Sequence, residues 1–472
     1  LAVLNPLVWS QAVMAEVYTL HLLFFTGVLW LAWRLAAPAA RRWWLAAGLW
    51  CGLGLGVHAT LVLIVPLLWW RAWCAPRRGK ALAALALGTG AGLLVYGYLP
   101  LAAALAPYAN WGNPSTLARF VDHVSLAQFR GDAWQWSRLP LKLTVLGETL
   151  VGTLGLPALA LAVFGCAAAW RAPARRPLLM AMLAYALLVT LAFGQGRASV
   201  LAASFPVHLM PVVAAGALLA GWGWSALRAP RLRAVMLAAL LVWFLVQLPV
   251  AWRQADRRDN LILTRLAVRL LQACPPRGML LVEQDDITFP LWAVQASGLR
   301  PEVLVVNGTL LNFDWYREQM AVRAGVPVCP DAAGQVRALL AAAPAAYAFP
   351  QPAACLRLPA AQEKGLLIVL KPDADAGAEN ERLLMLLASI TAGEFERAVL
   401  TDMETRIRAD YAAALNNAAV ALARQGGARH GLPLLELACR LRPGDAELRR
   451  NDGLMRRESM RPQEPASERR HP

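Results

Sequence analysis

Long apolar runs fill the first half of the chain and give way, near residue 253, to short apolar stretches set among charges. About 20 apolar residues in a helix suffice to cross a hydrocarbon core. The pattern predicts spans near 7–33, 43–73, 81–101, 141–169, 177–196, 200–224 and 231–252. Trp30, Trp33, Trp43, Trp44, Trp69, Trp70, Trp73, Trp222, Trp224 and Trp252 fall at span ends, the pattern of an aromatic belt.

Basic clusters set the expected topology. Arg34, Arg41 and Arg42 follow the first span, and Arg71, Arg77, Arg78 and Lys80 the second. Arg171, Arg175 and Arg176 follow the fourth, and Arg228, Arg231 and Arg233 the sixth. The positive-inside rule puts all four clusters in the cytoplasm. The stretch 43–73 has a cluster at each end, so it must cross twice or not at all. G-L-G-L-G-V-H (52–58) breaks it, which predicts a hairpin of 43–57 and 59–73 with His58 near the outer apex. Eight crossings result, with loop 102–140, the Gln195–Arg197 turn and everything after 252 outside.

The second half reads as water-soluble. Residues 259–273 have helical periodicity, MLLVE (279–283), EVLVVN (302–307) and LLIVL (366–370) read as strands, and a helix is expected near 289–297. This predicts a small α/β domain over 253–372. Residues 385–453 read as helices resembling a tetratricopeptide repeat, with Gly426 at a turn, Gly431 and Ala438 at close helix contacts, and Pro443 at the end. Such helices would pack on the α/β domain or on a protein partner. The tail 454–472 reads as disordered. The expected fold class is thus mainly α: a polytopic transmembrane helical domain over 1–252, then the α/β domain and the repeat-like helices.

Composition agrees. Of 472 residues 58% are hydrophobic and 16% charged, with a mean hydropathy of +0.45, which excludes a single soluble domain. The net charge of +16 punctuates apolar runs, so it indicates membrane topology and not nucleic acid. No glycine-rich phosphate loop follows either early strand, which argues against a nucleotide cofactor. No cysteine spacing resembles a metal site, and a Cys329–Cys355 bridge is an option in the outer domain. The chain starts on Leu, and we read it as a fragment whose beginning is missing.

Candidate chemistry lies at a few polar positions. Glu16 sits in the first span, where a carboxylate is costly and normally faces a wet cavity. Trp9, Ala12, Glu16 and Thr19 would share one helix face. The plainer alternative is a buried hydrogen bond from Glu16 to Tyr18 or a neighbouring helix. His58 is either a site residue or a cap on a nearby carbonyl. In the outer loop, Asn110-Trp111-Gly112-Asn113-Pro114 is turn chemistry. Leu117, Phe120, Val121, Val124 and Phe129 then make an amphipathic helix for the membrane surface. Arg197 is placed to meet a lipid phosphate or to anchor at the interface. Asp285 and Asp286 follow a strand, as functional carboxylates or as a turn in which Asp286 caps a helix starting near Pro290.

Four segments together carry a resemblance: WSQAVMAEVYTLHLL, GLGLGVHATL, YGYLPLAA with NWGNPSTLARFVDHVSLAQF, and LLVEQDDITFPLWAVQASGLRPEVLVVN. In this order they make the protein resemble a bacterial integral-membrane family related to the eukaryotic transmembrane protein O-mannosyltransferases. Its members look like GT-C glycosyltransferases with C-terminal tetratricopeptide repeats. The sequence departs from the family at Ala102, where Arg tends to follow Y-L-P-L, and in E-Q-D-D-I-T-F, where N-G-D-N-D-T-F is usual.

The resemblance implies sugar transfer, with mannose a candidate, from a polyprenyl-phosphate donor to a hydroxyl of a protein or glycan. The site would face the periplasm from a bacterial inner membrane. Glu16 and His58 become the catalytic candidates, with Glu16 at the donor site or behind it. Tyr18, His21, Asn110, Trp111, His123 and Arg197 become the substrate-binding candidates. The catalytic carboxylate of such enzymes lies in an outer loop upstream of Leu1. No resident cofactor or metal is expected. The competing reading is a non-catalytic scaffold or transport component that recruits partners through its repeat-like helices.

Overall fold

A computed structural model describes residues 6–14, 16–37, 39–127, 136–192, 205–349, 362–364, 366–396, 400, 402–424 and 427–460. Two compact units divide the chain, Leu1–Asp256 and Arg257–Pro472.

The first unit is helical. Its elements are α1 (Pro6–Ala12), α2 (Tyr18–Arg34), α3 (Arg41–Val57), a 3-10 turn (Ala59–Leu63), α4 (Pro66–Trp73), α5 (Arg78–Leu93), α6 (Tyr98–Ala104), α7 (Leu117–Val124), α8 (Leu139–Arg171), α9 (Arg176–Ala192), α10 (Met210–Ala226) and α11 (Pro230–Ala255). Among the described residues, three helical stretches are long and apolar enough to cross a membrane: Arg78–Ala104, Trp136–Arg171 and Pro230–Ala255. Shorter apolar helices cover Ala59–Trp73, Arg176–Ala192 and Met210–Ala226. Helix α11 leaves Leu237, Leu241, Val242, Leu245 and Val246 exposed, as a lipid-facing helix would. Of the belt tryptophans, Trp30, Trp33, Trp70, Trp73 and Trp252 are exposed, but Trp44 is buried in the bundle.

Glycines fix the helix pairings. A Cβ on Gly48 would lie 2.1 Å from the Leu85 carbonyl oxygen, and one on Gly52 would lie 2.3 Å from that of Thr89. The backbones of α3 and α5 therefore touch, as small residues allow between membrane helices. Contacts advance in step, Gly48 with Gly88 and Gly52 with Gly92, so the two helices run parallel. The polypeptide must return between them, and the Ala59–Leu63 turn and α4 carry it back. Helices α8 and α10 repeat the device: Gly165 and Gly223 approach each other's backbones, with Leu154 against Gly216. Within α8, Gly155 has φ +74 and faces the Trp243 ring, so the helix bends there beside Pro157.

The basic clusters gather at one end of this unit. Parallel α3 and α5 start level, at Arg41 and Arg78. Arg34 stacks over Trp43 at 5.1 Å. Arg71 donates to the Ala174 carbonyl at 3.2 Å, and Arg175 lies over Trp222 at 5.4 Å.

The expected single span 7–33 is broken. Helix α1 stops at Ala12, short turns follow from Met14 N–H to Gln11 O and from Glu16 N–H to Met14 O, and α2 starts at Tyr18. Trp9, Ala12, Glu16 and Thr19 therefore do not share one helix face. No proline or glycine marks the break, so tertiary packing overrides local propensity. Trp9 is held edge-on by Trp252 at 5.9 Å, and His21 is held by Tyr185.

The second unit is α/β with added helices. It holds α12 (Ile262–Ala273), β1 (Met279–Val282), α13 (Asp285–Ala296), β2 (Leu304–Asn307), α14 (Asp314–Ala324), α15 (Ala332–Ala342), β3 (Ala346–Ala348), β4 (Gln362–Lys364), β5 (Leu367–Lys371), α16 (Ala376–Ala388), α17 (Gly393–Glu396), α18 (Asp402–Arg424), α19 (Ala428–Leu441) and α20 (Ala446–Ser459). The strand order is β2-β1-β3-β5-β4. The first three strands are parallel and the last two pairings antiparallel. Two short strands thus join the three expected, and the described helix α20 carries six residues past the expected end at 453. Gly431 does sit at a close contact, 2.7 Å from the Ala419 carbonyl oxygen for an added Cβ, and Ala438 is buried. Gly426 lies outside the described residues. Cys329 carries no disulfide, and Cys355 lies outside the described residues.

Buried acids tie this unit together. Glu379 accepts from the Tyr347 hydroxyl (2.8 Å), Lys364 Nζ (2.8 Å) and the Asp373 N–H (3.0 Å). Burial raises its pKa, but these three donors outweigh burial and leave it below the usual carboxylate value. Glu394 is likewise lowered, the bidentate Arg269 pair outweighing its burial.

Two outcomes follow. Gly48→Leu should abolish the α3–α5 contact, read as loss of a monodisperse folded peak in detergent. A carboxyl lowered on folding stabilises above its unfolded pKa of about 4.3 and loses that contribution as pH falls through its folded value. Thermal unfolding of the second unit should therefore drop below about pH 4, and Glu379→Ala should cost about 3–5 kcal/mol at neutral pH, the cost of breaking a buried pair.

Candidate functional site

Among the described residues of the first unit, a cluster of polar rings lies within the apolar bundle. Tyr18 and His21 come from the first turn of α2, His58 and Thr60 from the break after α3, Tyr185 from α9, and His208 from just before α10. His58 leaves the helical region at φ −155, ψ 124, and caps the Ala59–Leu63 turn by accepting the Thr60 N–H at its Nδ1 (3.3 Å). The Thr60 hydroxyl lies 2.7 Å from the same nitrogen, 3.0 Å from His21 Nε2 and 3.4 Å from the Tyr185 hydroxyl. Tyr185 also meets His21 Nε2 at 3.2 Å. The rings pack closely: His21 to His58 at 4.7 Å, His58 to His208 at 5.8 Å, and Tyr18 to His208 at 5.4 Å and to His58 at 5.9 Å.

The hydrogen bonds order the protons. Because His58 Nδ1 accepts a backbone N–H, its proton sits on Nε2. Because Thr60 donates to His58, its oxygen accepts from His21 Nε2. His21 Nδ1 is then a bare acceptor, buried and without a partner among the described residues. Such an orphan inside an apolar core is costly and marks a place for a ligand hydroxyl or a water. Among the described residues, no group of three or more His, Cys, Asp or Glu could hold a metal ion.

The structure brings together Tyr18, His21 and His58 of the residues singled out in the sequence. Glu16 is exposed in the break before α2, close enough to Tyr18 to act on it electrostatically. Asn110 and His123 form a second, local group with Trp111 between Asn110 and Gly112. Asn110 donates to the Ala103 carbonyl (3.4 Å) and to Asn113 Oδ1 (3.0 Å), and the His123 ring covers Gly112. The amphipathic helix forms as α7, capped by Thr116, while Phe129 and Arg197 lie outside the described residues. Thr60, Tyr185 and His208 were missed. His208 is an ionisable residue in an apolar run, the signal that should have exposed it. Lys142 was also missed; buried in α8, it donates to the Leu191 carbonyl at the end of α9 (3.0 Å).

In the second unit, α13 begins at Asp285, not near Pro290, so Asp286 stands inside the first turn and Gln284 takes the cap position. Both carboxyls are raised, by loss of solvent first and then by acidic neighbours, Asp286 for Asp285 and Glu404 for Asp286, the latter opposed by Arg406. The buried Asn307 at the end of β2 joins this edge to the core, donating to Thr288 Oγ1 (2.9 Å) and accepting the Leu310 N–H (3.0 Å).

Comparison with known proteins matches both regions. The model of the protein O-mannosyl-transferase TMEM260 N-terminal domain matches residues 2–79, and that of TMEM260-associated domain 2 matches residues 264–326. The chain is 28% identical over 347 residues to the protein O-mannosyl-transferase TMEM260 of Mus musculus. The chain is related to protein O-mannosyl-transferases. That alignment covers 67% of this chain and 49% of the mouse protein, so the chain spans about half the length of this relative. No solved structure matches.

Thr60→Val should destabilise the first unit by about 1–3 kcal/mol, the cost of orphaning buried polar groups, whereas Thr60→Ser should hold wild-type stability. Thermal unfolding in detergent reads the difference.

Proposed function

We propose that the chain forms part of a membrane glycosyltransferase. It would transfer a sugar, mannose being the first to test, from a polyprenyl-phosphate carrier to a hydroxyl on a protein or glycan. One observation carries the reading: the segment similar to the O-mannosyl-transferase N-terminal domain, residues 2–79, contains Tyr18, His21, His58 and Thr60. They are four of the six residues of the polar cluster, which Tyr185 and His208 complete.

The placement supports an outward site. Helix α2 runs from Tyr18 to Arg34, and its 17 residues span about 25 Å. The polar cluster thus lies at the end away from the basic clusters, the outer end by the positive-inside rule. In a bacterial inner membrane that would be the periplasmic face.

The chemistry asks for three things. The acceptor oxygen attacks the sugar's C1 as the C1–O bond to phosphate breaks. The acceptor's proton goes to a base, and the phosphate leaves with the bonding electrons. The His58 Nε2–H and the Tyr18 hydroxyl are donors suited to the charge growing on that phosphate. The bare His21 Nδ1 is suited to accept from a sugar hydroxyl. Glu16, exposed beside Tyr18, is the carboxylate of the donor site. Of the other binding candidates, Asn110, Trp111 and His123 belong to the loop, and Arg197 is kept from the sequence alone as a candidate for the carrier phosphate.

The full-length protein in liposomes should move radiolabelled mannose from polyprenyl phosphate to a Ser/Thr peptide. His58→Gln and Glu16→Gln should each slow transfer more than tenfold, about 1.4 kcal/mol in the barrier. No transfer from any polyprenyl-phosphate hexose would overturn the reading.

A further inference from the structure

The basic end of the first unit gathers cations without acids. Its four clusters hold thirteen Arg and Lys residues, whereas no Asp or Glu occurs in 17–121 or 149–255, the segments that supply them. Like charges crowded at one end repel, and an anion from outside the chain relieves that repulsion.

Three of these arginines meet at one turn. Helix α8 ends at Arg171 and α9 begins at Arg176. Arg71, in the last turn of α4, donates from Nη2 to the Ala174 carbonyl between them (3.2 Å). Its guanidinium lies over the Trp70 ring at 5.2 Å, and its Nε is buried without a hydrogen-bond partner among the described residues. Arg175 lies over Trp222 at 5.4 Å. Arg176 lies over Trp170 at 5.8 Å and donates to the Trp170 carbonyl. Each guanidinium is thus backed by an indole. A guanidinium has five N–H groups, and one carbonyl uses only one of them. The unspent donors suit the oxygens of a phosphate. Helix α9 starts at this turn with no acidic residue in its first turn, so the positive end of its dipole adds to the arginines.

An apolar stripe decides which phosphate. Met180, Leu183 and Leu187 follow Arg176 on one face of α9, at i+4, i+7 and i+11, and all three are exposed. Cations at the head of an apolar stripe match an amphiphile, with its phosphate at the turn and a chain along the helix. A nucleic acid or an acidic protein segment has no use for the stripe. The positive-inside rule also puts this end at the cytoplasmic leaflet, where acidic lipids concentrate and basic sites between membrane helices bind their headgroups.

We propose that Arg71, Arg175 and Arg176 bind the headgroup phosphate of an acidic phospholipid, with an acyl chain along Met180, Leu183 and Leu187. The proposal goes beyond the sugar-transfer reading and stands without it, since this turn lies at the end away from the ring cluster.

Native mass spectrometry of the full-length protein in detergent tests it. The probes are phosphatidylglycerol and phosphatidylcholine with identical chains, which differ in net charge. Phosphatidylglycerol should bind at least fivefold more tightly, about 1 kcal/mol. The double variant Arg71→Gln/Arg175→Gln should erase that preference. Arg41→Gln/Arg42→Gln removes the same charge from exposed positions at the same end and should keep it. Arg175→Gln alone leaves the Arg71 bond to Ala174 in place and should weaken phosphatidylglycerol at least threefold. It decides the matter if circular dichroism shows the double variant unfolded. Equal binding of the two lipids, an equal loss in the Arg41/Arg42 variant, or displacement of bound phosphatidylglycerol by an oligodeoxythymidine overturns the proposal. None of these outcomes bears on sugar transfer.

Discussion

A polar group inside an apolar bundle has no water to turn to, and here one hydroxyl answers for three rings. Thr60 Oγ1 meets His58, His21 and Tyr185. Those rings come from three parts of the sequence, so the hydroxyl fixes how the first turn of α2, the break after α3 and the middle of α9 meet. Among the described residues, His21 Nδ1 is the fully buried polar atom of this cluster that lacks a partner. A buried acceptor of this kind is suited to a donor from outside the cluster.

Close glycine contacts make this network possible. Parallel α3 and α5 touch backbone to backbone through Gly48, Gly52, Gly88 and Gly92. That contact forces the intervening segment to turn back at His58. The basic residues then collect at one end and the histidines at the other. Topology and chemistry are therefore two consequences of the same packing: the turn that carries the polar groups exists because the helices beside it run side by side.

Much of this was legible in the sequence. The apolar runs from 81 onward matched helices, and the polar break at His58 with its preceding glycines announced a reversal. Gly431 and Ala438 marked the close packing of α18 and α19. Other features had no local signature. The break between α1 and α2 has no proline or glycine to announce it, and the helices on either side of it pack against Trp252 and Tyr185 far along the sequence. β3 is only Ala-Tyr-Ala, too short to show alternation. Pro290 looked like a helix start but lies within α13, which begins at Asp285. Of the site, Tyr18, His21 and His58 stood out as polar residues in apolar surroundings. Tyr185 and His208 sit more than 120 residues away from them, and only packing unites them.

The central claim is that this ring cluster receives a lipid-linked sugar. Photo-crosslinking with a diazirine-bearing polyprenyl-phosphate mannose, followed by peptide mass mapping, addresses it directly. The account predicts labelling within 16–21, 58–60 and around 208, suppressed by excess unlabelled lipid. Labelling confined to the outward lipid-facing side of α11, or unaffected by competitor, would contradict it.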